Sequence, residues 1–352
     1  LMKAYIGVEE LTLEELQGVD SPDSRIQNAV GLLMYVMENG LDEEQFEEAL
    51  DYFKNNLQYG YNTEFEPRSI VGDTYEDLDD RYYGNNDVTG PDAKHGTHVA
   101  GIIAAARGNN TGMDGVANDV KIMTIRAVPN GDERDKDVAN AIYYAVDNGA
   151  KVINMSFGKA YSPDKEAVDK AVKYARKKGV LLVHAAGNDS KNVDVENNFP
   201  SRTYLNSKRE ASNWLEIGAS SWGDTTNFVA NFSNYGKKSV DLFAPGVDIY
   251  STIPGSEYEH LDGTSMAAPV VSGVAALLLS YYPDFTADQV KDILMKTVVK
   301  YDGLRVNMPG TKNQESGQEM VDFSSLSITG GVVNAYEALK MAQSMKLKNT
   351  RR

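Results

Sequence analysis

No cysteine occurs anywhere in this 352-residue chain. Disulfides, thiolate nucleophiles and cysteine-based metal sites are therefore excluded, and the absence is compatible with export without establishing it. Basic residues are also in short supply: 35 Lys and Arg face 51 Asp and Glu, a formal net charge of −16. A nucleic-acid or anionic-membrane partner needs basic patches, so neither is expected. No apolar run is expected to be long enough to cross a bilayer, and no signal-peptide pattern is read at the start. What remains is ordinary for a soluble globular enzyme, with 41% hydrophobic and 24% charged residues. That length can bury one large α/β core or two smaller ones.

The acidity is concentrated. Residues 1–60 hold 13 Asp and Glu against 3 Lys and Arg, a net of −10. Within them Ile26, Val30, Leu33 and Met37, then Phe46, Leu50, Phe53 and Leu57, follow the spacing of one helix face. Gly40 is placed to stop the first helix, and Asp42 with Gln45 reads as a capping box for the second. The expectation is an acidic helical hairpin over 1–66, inserted into a larger domain that occupies 67–352. A solvated structural role suits it better than a ligand site.

After a Tyr- and Asp-rich loop (61–88), strand and helix patterns alternate. VKIMTIRAV (120–128) reads as a buried strand, DKDVANAIYYAVDNGA (135–150) as an amphipathic helix, and VINMSFG (152–158) as a strand. PDKEAVDKAVKYARKKG (163–179) reads as a helix and VLLVHAAGN (180–188) as a further strand. Such alternation predicts right-handed crossovers and a mainly parallel sheet, whose chemistry sits at the carboxyl ends of its strands. No GxGxxG or P-loop pattern follows any of them.

Several polar residues lie at those ends. His95 and His98, two of only four histidines, open the small-residue helix DAKHGTHVAGIIAAA (92–106). A metal reading is weak, because no HEXXH and no obvious third ligand accompany the pair. Gly96 and Ala100 leave room beside His95 that suits a general base meeting a substrate. Asn188, at the end of HAAGN, is either a turn residue or an amide donor aimed at a developing oxyanion. Ser265 lies in GTSMAAP (263–269), at the mouth of an apolar helix where free N–H groups and the dipole favour negative charge. An N-cap would explain one hydroxyl there but not the small residues Gly263, Ala267 and Ala268 beside it. Pro269 is read as part of the first turn, where its missing N–H has no use.

HGTHVAGIIAA, INMSFG, HAAGN and GTSMAAP, in this order, resemble the signature blocks of the subtilisin-like serine peptidases. FSNYG (232–236), LFAPG (242–246) and GGVVNAYEAL (330–339) extend the likeness over roughly residues 67–345. The resemblance implies a three-layer α/β fold, a mainly parallel sheet flanked by helices, and a serine endopeptidase. His95 would be the general base, Ser265 the nucleophile, and Asn188 the oxyanion donor beside the Ser265 N–H. Ser156, Phe157 and Gly158 would pair with the substrate backbone, and Gly131, Asp132 and Glu133 would form the opposite edge. With Asp189 next to Asn188, that acidic edge suggests a lean toward basic substrate side chains.

The implied partners are peptide or protein substrates, with export as the family's usual location. No cofactor is required for the chemistry. A structural calcium is expected of many members, and the turn RGNNTGMDGVA (107–117) resembles one of their calcium loops, with Asn110 as a candidate side-chain ligand. A plain turn explains it equally well.

One block departs from the pattern. The family order is Asp, His, Ser, yet no apolar run ending in Asp-Ser/Thr-Gly precedes His95. Residues 1–66 resemble an insertion that some members carry between the Asp strand and the His helix. The expectation is that the first core strand and its Asp belong to an upstream segment of a longer parent, itself a candidate partner. Two alternatives stand beside it: a nicked enzyme whose N-terminal piece stays docked, and Asp73 of SIVGDTYED as a substitute. A non-catalytic, peptide-binding relic is the competing function.

Overall fold

The computed structural model describes residues 62–350 apart from 118, 130, 223–224 and 312–318, and before them 12–19, 21, 26–27, 29–31, 33–34, 50 and 53–60. Packing divides the chain into two compact units, Leu1–Ile70 and Val71–Arg352.

In the first unit, Leu13–Gln17 is a short helix with Leu16 fully buried. Thr12 and Glu15 cap it reciprocally, with Thr12 N donating to Glu15 Oε2 and Glu15 N to Thr12 Oγ1. Residues 26–27, 29–31 and 33–34 are helical, as the periodicity predicts, and Val30 is buried. On the second predicted face Leu50 and Phe53 are helical but exposed, and Leu57 lies in the π-helical turn Asn56–Gly60. Met37, Gly40, Asp42, Gln45 and Phe46 fall outside the described residues, and so does the hairpin's turn.

The second unit is a three-layer α/β sandwich. Its helices are α1 (Lys94–Ala104), α2 (Asp135–Asp147), α3 (Lys165–Lys178), α4 (Thr264–Tyr281), α5 (Ala287–Lys296) and α6 (Ala335–Thr350). Its central sheet contains β1 (Val152–Met155), β2 (Leu181–Ala185), β3 (Trp214–Ser220) and β4 (Leu242–Pro245). The hairpin β5 (Ile249–Ile253) and β6 (Glu257–Leu261) follows, then β7 (Val299–Lys300), β8 (Arg305–Asn307), β9 (Met320–Asp322) and β10 (Gly331–Val332). The six-stranded order is β1-β2-β3-β4-β10-β7, parallel except where β7 meets β10.

Alternation along the strands explains the layers. Leu181, Val183 and Ala185 of β2, with Leu215, Ile217 and Ala219 of β3, face one way onto α4, α5 and α6. Leu182, Trp214 and Met155 face the other way onto α2 and α3. Buried on both faces, β2 and β3 are apolar on both sides rather than alternating, apart from His184 in β2 and Glu216 and Ser220 in β3.

Three readings need correction. Residues 120–128 form no ladder among the described strands, and Ile122, Met123 and Val128 are exposed rather than buried. An apolar run becomes a buried strand only where a neighbour takes its N–H and C=O groups, and none of the described strands does so here. The apolar stretch in α4 does reach membrane-spanning length, 18 residues at mean hydropathy 1.5, but 61% of it is buried and it serves as the core helix. Finally, α4 begins at Thr264, so Pro269 lies beyond the first turn, where a helix needs the N–H that proline lacks.

Candidate active site

Three elements meet at the carboxyl end of the sheet: the end of β1, the turn after β2, and the mouth of α4. Pro269 explains how two of them are joined. Without its N–H, the Ser265 carbonyl four residues earlier loses its helical donor. The Ser156 hydroxyl takes its place, donating to Ser265 O at 2.8 Å. Behind it, Asn154 Nδ2 donates to Ser156 Oγ at 2.9 Å, and Ser272 Oγ to Asn154 Oδ1 at 2.8 Å. The chain Ser272–Asn154–Ser156 thus ties the end of β1 to the candidate nucleophile.

Asn188 is locked from the same helix. Its Oδ1 accepts from Thr264 N at 2.9 Å and from Thr264 Oγ1 at 2.8 Å. Thr264 Oγ1 in turn accepts from Gly187 N at 3.1 Å. With the carbonyl oxygen held, Nδ2 is the end of the amide left to donate. Gly263, beside that nitrogen at the helix mouth, has a φ of 154° that suits glycine. Thr264, Met266 and Ala267 direct their N–H groups to Asn188 or Gly263. No such bond holds the Ser265 N–H, which sits at the positive end of the helix.

The structure brings Ser265 and Ser156 together and clamps Asn188 to the neighbouring Thr264; among the described residues no hydrogen bond joins these to His95. It lies on α1, which packs against α4 through the close approach of Gly273 to Val116 and Ile103 O. No hydrogen bond from a described residue reaches its ring, and Ser265 Oγ instead makes a long 3.4 Å bond to Ser156 O. Desolvation by the surrounding protein pushes the His95 pKa below its ordinary 6.5; His98 pushes the same way and Asp92 opposes. Asp73, the candidate substitute acid, is fully buried against Lys136 Nζ at 2.6 Å. No carboxylate among the described residues hydrogen-bonds His95.

His98 is buried, with Nε2 3.1 Å from Glu259 O. It positions α1 against the β5–β6 hairpin, whose Ser251 and Thr252 hydroxyls bond the His98 and Thr97 carbonyls.

Of the expected substrate edges, Ser156 touches Ser265 directly, Phe157 is half-buried and Gly158 is exposed. On the other side Gly131 and Asp132 are exposed, but Glu133 is only 3% exposed, with Oε1 lacking a hydrogen-bond partner. Burial pushes its pKa up. Lys159 Nζ joins the two edges, reaching Glu133 O at 2.5 Å and Asp135 Oδ1 at 2.8 Å. Asp189 is exposed beside Asn188, its N–H held by Asn234 Oδ1.

The 107–117 turn directs its oxygens to its own chain. Asn109 Oδ1 accepts from Thr111 N, Asp114 Oδ1 accepts from Gly108 N, and Asp114 pairs with Arg107 at 3.8 Å. Asn110 is in the left-handed region at φ 57°. Among the described residues no group of three or more His, Asp and Glu could hold a metal.

Thr264, Asn154, Ser272 and the buried pair His184–Glu216 were not singled out from sequence. Thr264 stood in the quoted GTS run, and a histidine inside the apolar run LLVHAA was a visible signal.

The subtilase family (peptidase S8) matches residues 34–324. A thermophilic serine proteinase of Bacillus sp. (strain AK1) is 42% identical over 214 residues, covering 59% of this chain and 49% of that one. The cell wall-associated protease of Bacillus subtilis is 37% identical over 229 residues, covering 65% of this chain and 24% of its own length. The chain therefore spans about half or less of these two relatives. Among solved structures, a protease from Pseudoalteromonas arctica superposes with TM-score 0.54 at 30% identity over 70% of each chain. Motif order, sheet order and these matches agree: the chain belongs to the subtilase family.

Proposed function

We propose that this chain carries the catalytic core of a serine endopeptidase. Ser265 Oγ attacks the scissile carbonyl, His95 takes its proton, and the tetrahedral oxyanion accepts from Asn188 Nδ2 and the Ser265 N–H. Collapse returns the proton from His95 to the leaving amine, and water then releases the acyl group from Ser265. The observation that carries this reading is the double clamp of Thr264 on Asn188 Oδ1, which fixes an amide donor beside a serine at a helix N-terminus. Loss of one such donor typically costs about 10²–10³ in turnover, a magnitude taken over from subtilisin itself. Intact-mass analysis after treatment with a serine-directed fluorophosphonate tests the assignment. One adduct, absent in Ser265→Ala, supports it; an unlabelled wild type that still binds peptides establishes the second reading.

That second reading, a peptide-binding protein without turnover, is favoured by one observation: no described carboxylate orients His95. We infer a partner that resolves it, an extended segment of an upstream parent bearing an aspartate. Open edges support this, since β1 has no neighbour on its outer side among the described strands and residues 120–128 form no ladder. The triad aspartate is worth about 10⁴ in turnover, so co-expression with such a segment separates the two readings clearly.

Substrates would lie along Ser156–Gly158 as an added strand. The exposed Asp132 and Asp189 favour basic side chains near the cleaved bond; the inward Glu133, its pKa raised by burial, contributes less. Equal turnover of matched Arg, Glu and Leu peptides would sink that preference. Export is inferred from the cysteine-free composition and the cell-wall association in one relative's name. The charge of −16 supports the absence of nucleic-acid and anionic-membrane partners.

A further inference from the structure

His184 sits in the middle of β2, 0% exposed, in a strand whose other side chains are all apolar. A buried imidazole is costly unless its nitrogens are satisfied. Both are: Nδ1 lies 2.9 Å from Glu216 Oε1 and Nε2 2.8 Å from Phe157 O. A backbone carbonyl can only accept, so Nε2 carries a proton. Glu216 comes from β3, is 7% exposed, and accepts at its other oxygen from the Trp214 indole N–H at 2.7 Å. Its own backbone N–H donates to Asp241 Oδ2, which is paired with Arg202. Nδ1 is held by Glu216 at the same time, so the ring is fixed from both sides with its Nε2 proton directed at the Phe157 carbonyl.

The carbonyl that Nε2 holds is not an arbitrary one. Phe157 stands between Ser156, whose hydroxyl bonds Ser265 O, and Gly158, exposed on the proposed substrate edge. The Ser156 carbonyl faces Ser265 Oγ, while the Phe157 carbonyl is turned the opposite way, into the core. In extended chain successive carbonyls alternate, so pinning one sets the direction of its neighbours. The other charges near the ring bear on the same strip. Glu133, on the segment before α2, acts electrostatically on His184, and Lys159, two residues beyond Phe157, ties Glu133 O to Asp135.

We propose that His184, oriented by Glu216, is a positioning residue that sets the register of the substrate-pairing strand by holding the Phe157 carbonyl away from the cleft. This deepens the peptidase reading and rests on it. The pair adds no chemistry at the scissile bond. It acts by presenting residues 156–158 to an extended peptide in one geometry.

The test uses His184→Leu, which removes both hydrogen bonds with little change in bulk, and Glu216→Gln, which can keep a singly protonated ring bonded to Phe157 O. Two rates are read for each: cleavage of an N-acetylated six-residue alanine/arginine peptide, and labelling by a small fluorophosphonate that does not engage the strand. The expected result for His184→Leu is a loss of about 10- to 100-fold in kcat/KM for the peptide, with fluorophosphonate labelling within about threefold of wild type. Glu216→Gln is expected to retain most peptide cleavage. Should His184→Leu fail to fold, His184→Gln replaces it, keeping a donor toward Phe157 and giving partial recovery. Nitrogen-15 NMR of wild type should show a protonated Nε2 on one buried histidine. Peptide and fluorophosphonate rates falling together, or neither changing, would overturn the positioning role, and an unprotonated Nε2 would overturn its bond to the Phe157 carbonyl. If wild type neither labels nor cleaves, the peptidase reading fails and takes this role with it, an outcome distinct from a silent substitution in an active enzyme.

Discussion

Ser156 holds the Ser265 carbonyl only because Pro269 cannot, and this makes the two residues energetically coupled. Ser156→Ala should leave that carbonyl without a partner and cost about 1–3 kcal/mol in denaturant unfolding. In a Pro269→Ala background the new N–H can satisfy the carbonyl, and the same serine replacement should cost clearly less; additive effects would show that the bonds are independent. His95 allows a second prediction. Its pKa is lowered by desolvation; in the proposed mechanism the neutral ring is the base, so activity should persist below pH 6.5 and disappear only as pH falls through the lowered value. A docked carboxylate would favour the charged ring and move this acid limb upward, which a kcat/KM–pH profile with and without the partner would reveal. His95, Asn188 and Ser265 were legible in sequence because each sits in a compact motif. Thr264's hold on Asn188, 76 positions away, and Ser272's on Asn154, 118 away, exist only through the fold.

Helices were read more reliably than strands, for a physical reason. A helix satisfies its own backbone, so the periodicity of 135–150 and 163–179 translated directly into α2 and α3. A strand depends on neighbours that sequence alone does not identify. The run 120–128 has the composition of β1 and β2, yet its Ile122, Met123 and Val128 face solvent. Pro269 was misplaced because the first residue of α4 decides which N–H groups matter, and helix starts are uncertain by a residue or two. Hydrogen exchange should reflect these differences. Amides of β2 and β3 should be among the slowest in the chain, while those of 120–128 exchange fast and gain protection when a strand-bearing segment docks. Slow exchange at 120–128 in the isolated chain would contradict the unpaired edge.

At the scale of the whole molecule, the parallel sheet places its loops at one end, and the long core helix α4 delivers its N-terminus to that end. This much followed from the alternation of elements and from the apolar run behind GTSMAAP. The polar contacts between elements did not, since Lys159, beyond β1, reaches Asp135 of α2, and His184 of β2 reaches Glu216 of β3. One hydroxyl, on Ser156, belongs to the strip expected to grip a peptide and donates to the backbone carbonyl of the proposed nucleophile, Ser265. Grip and attack are thereby mechanically linked, as a handle is to a blade. A peptide long enough to fill the strip should steady the nucleophile as it binds, so that lengthening a substrate shows up chiefly as a higher kcat rather than a lower KM.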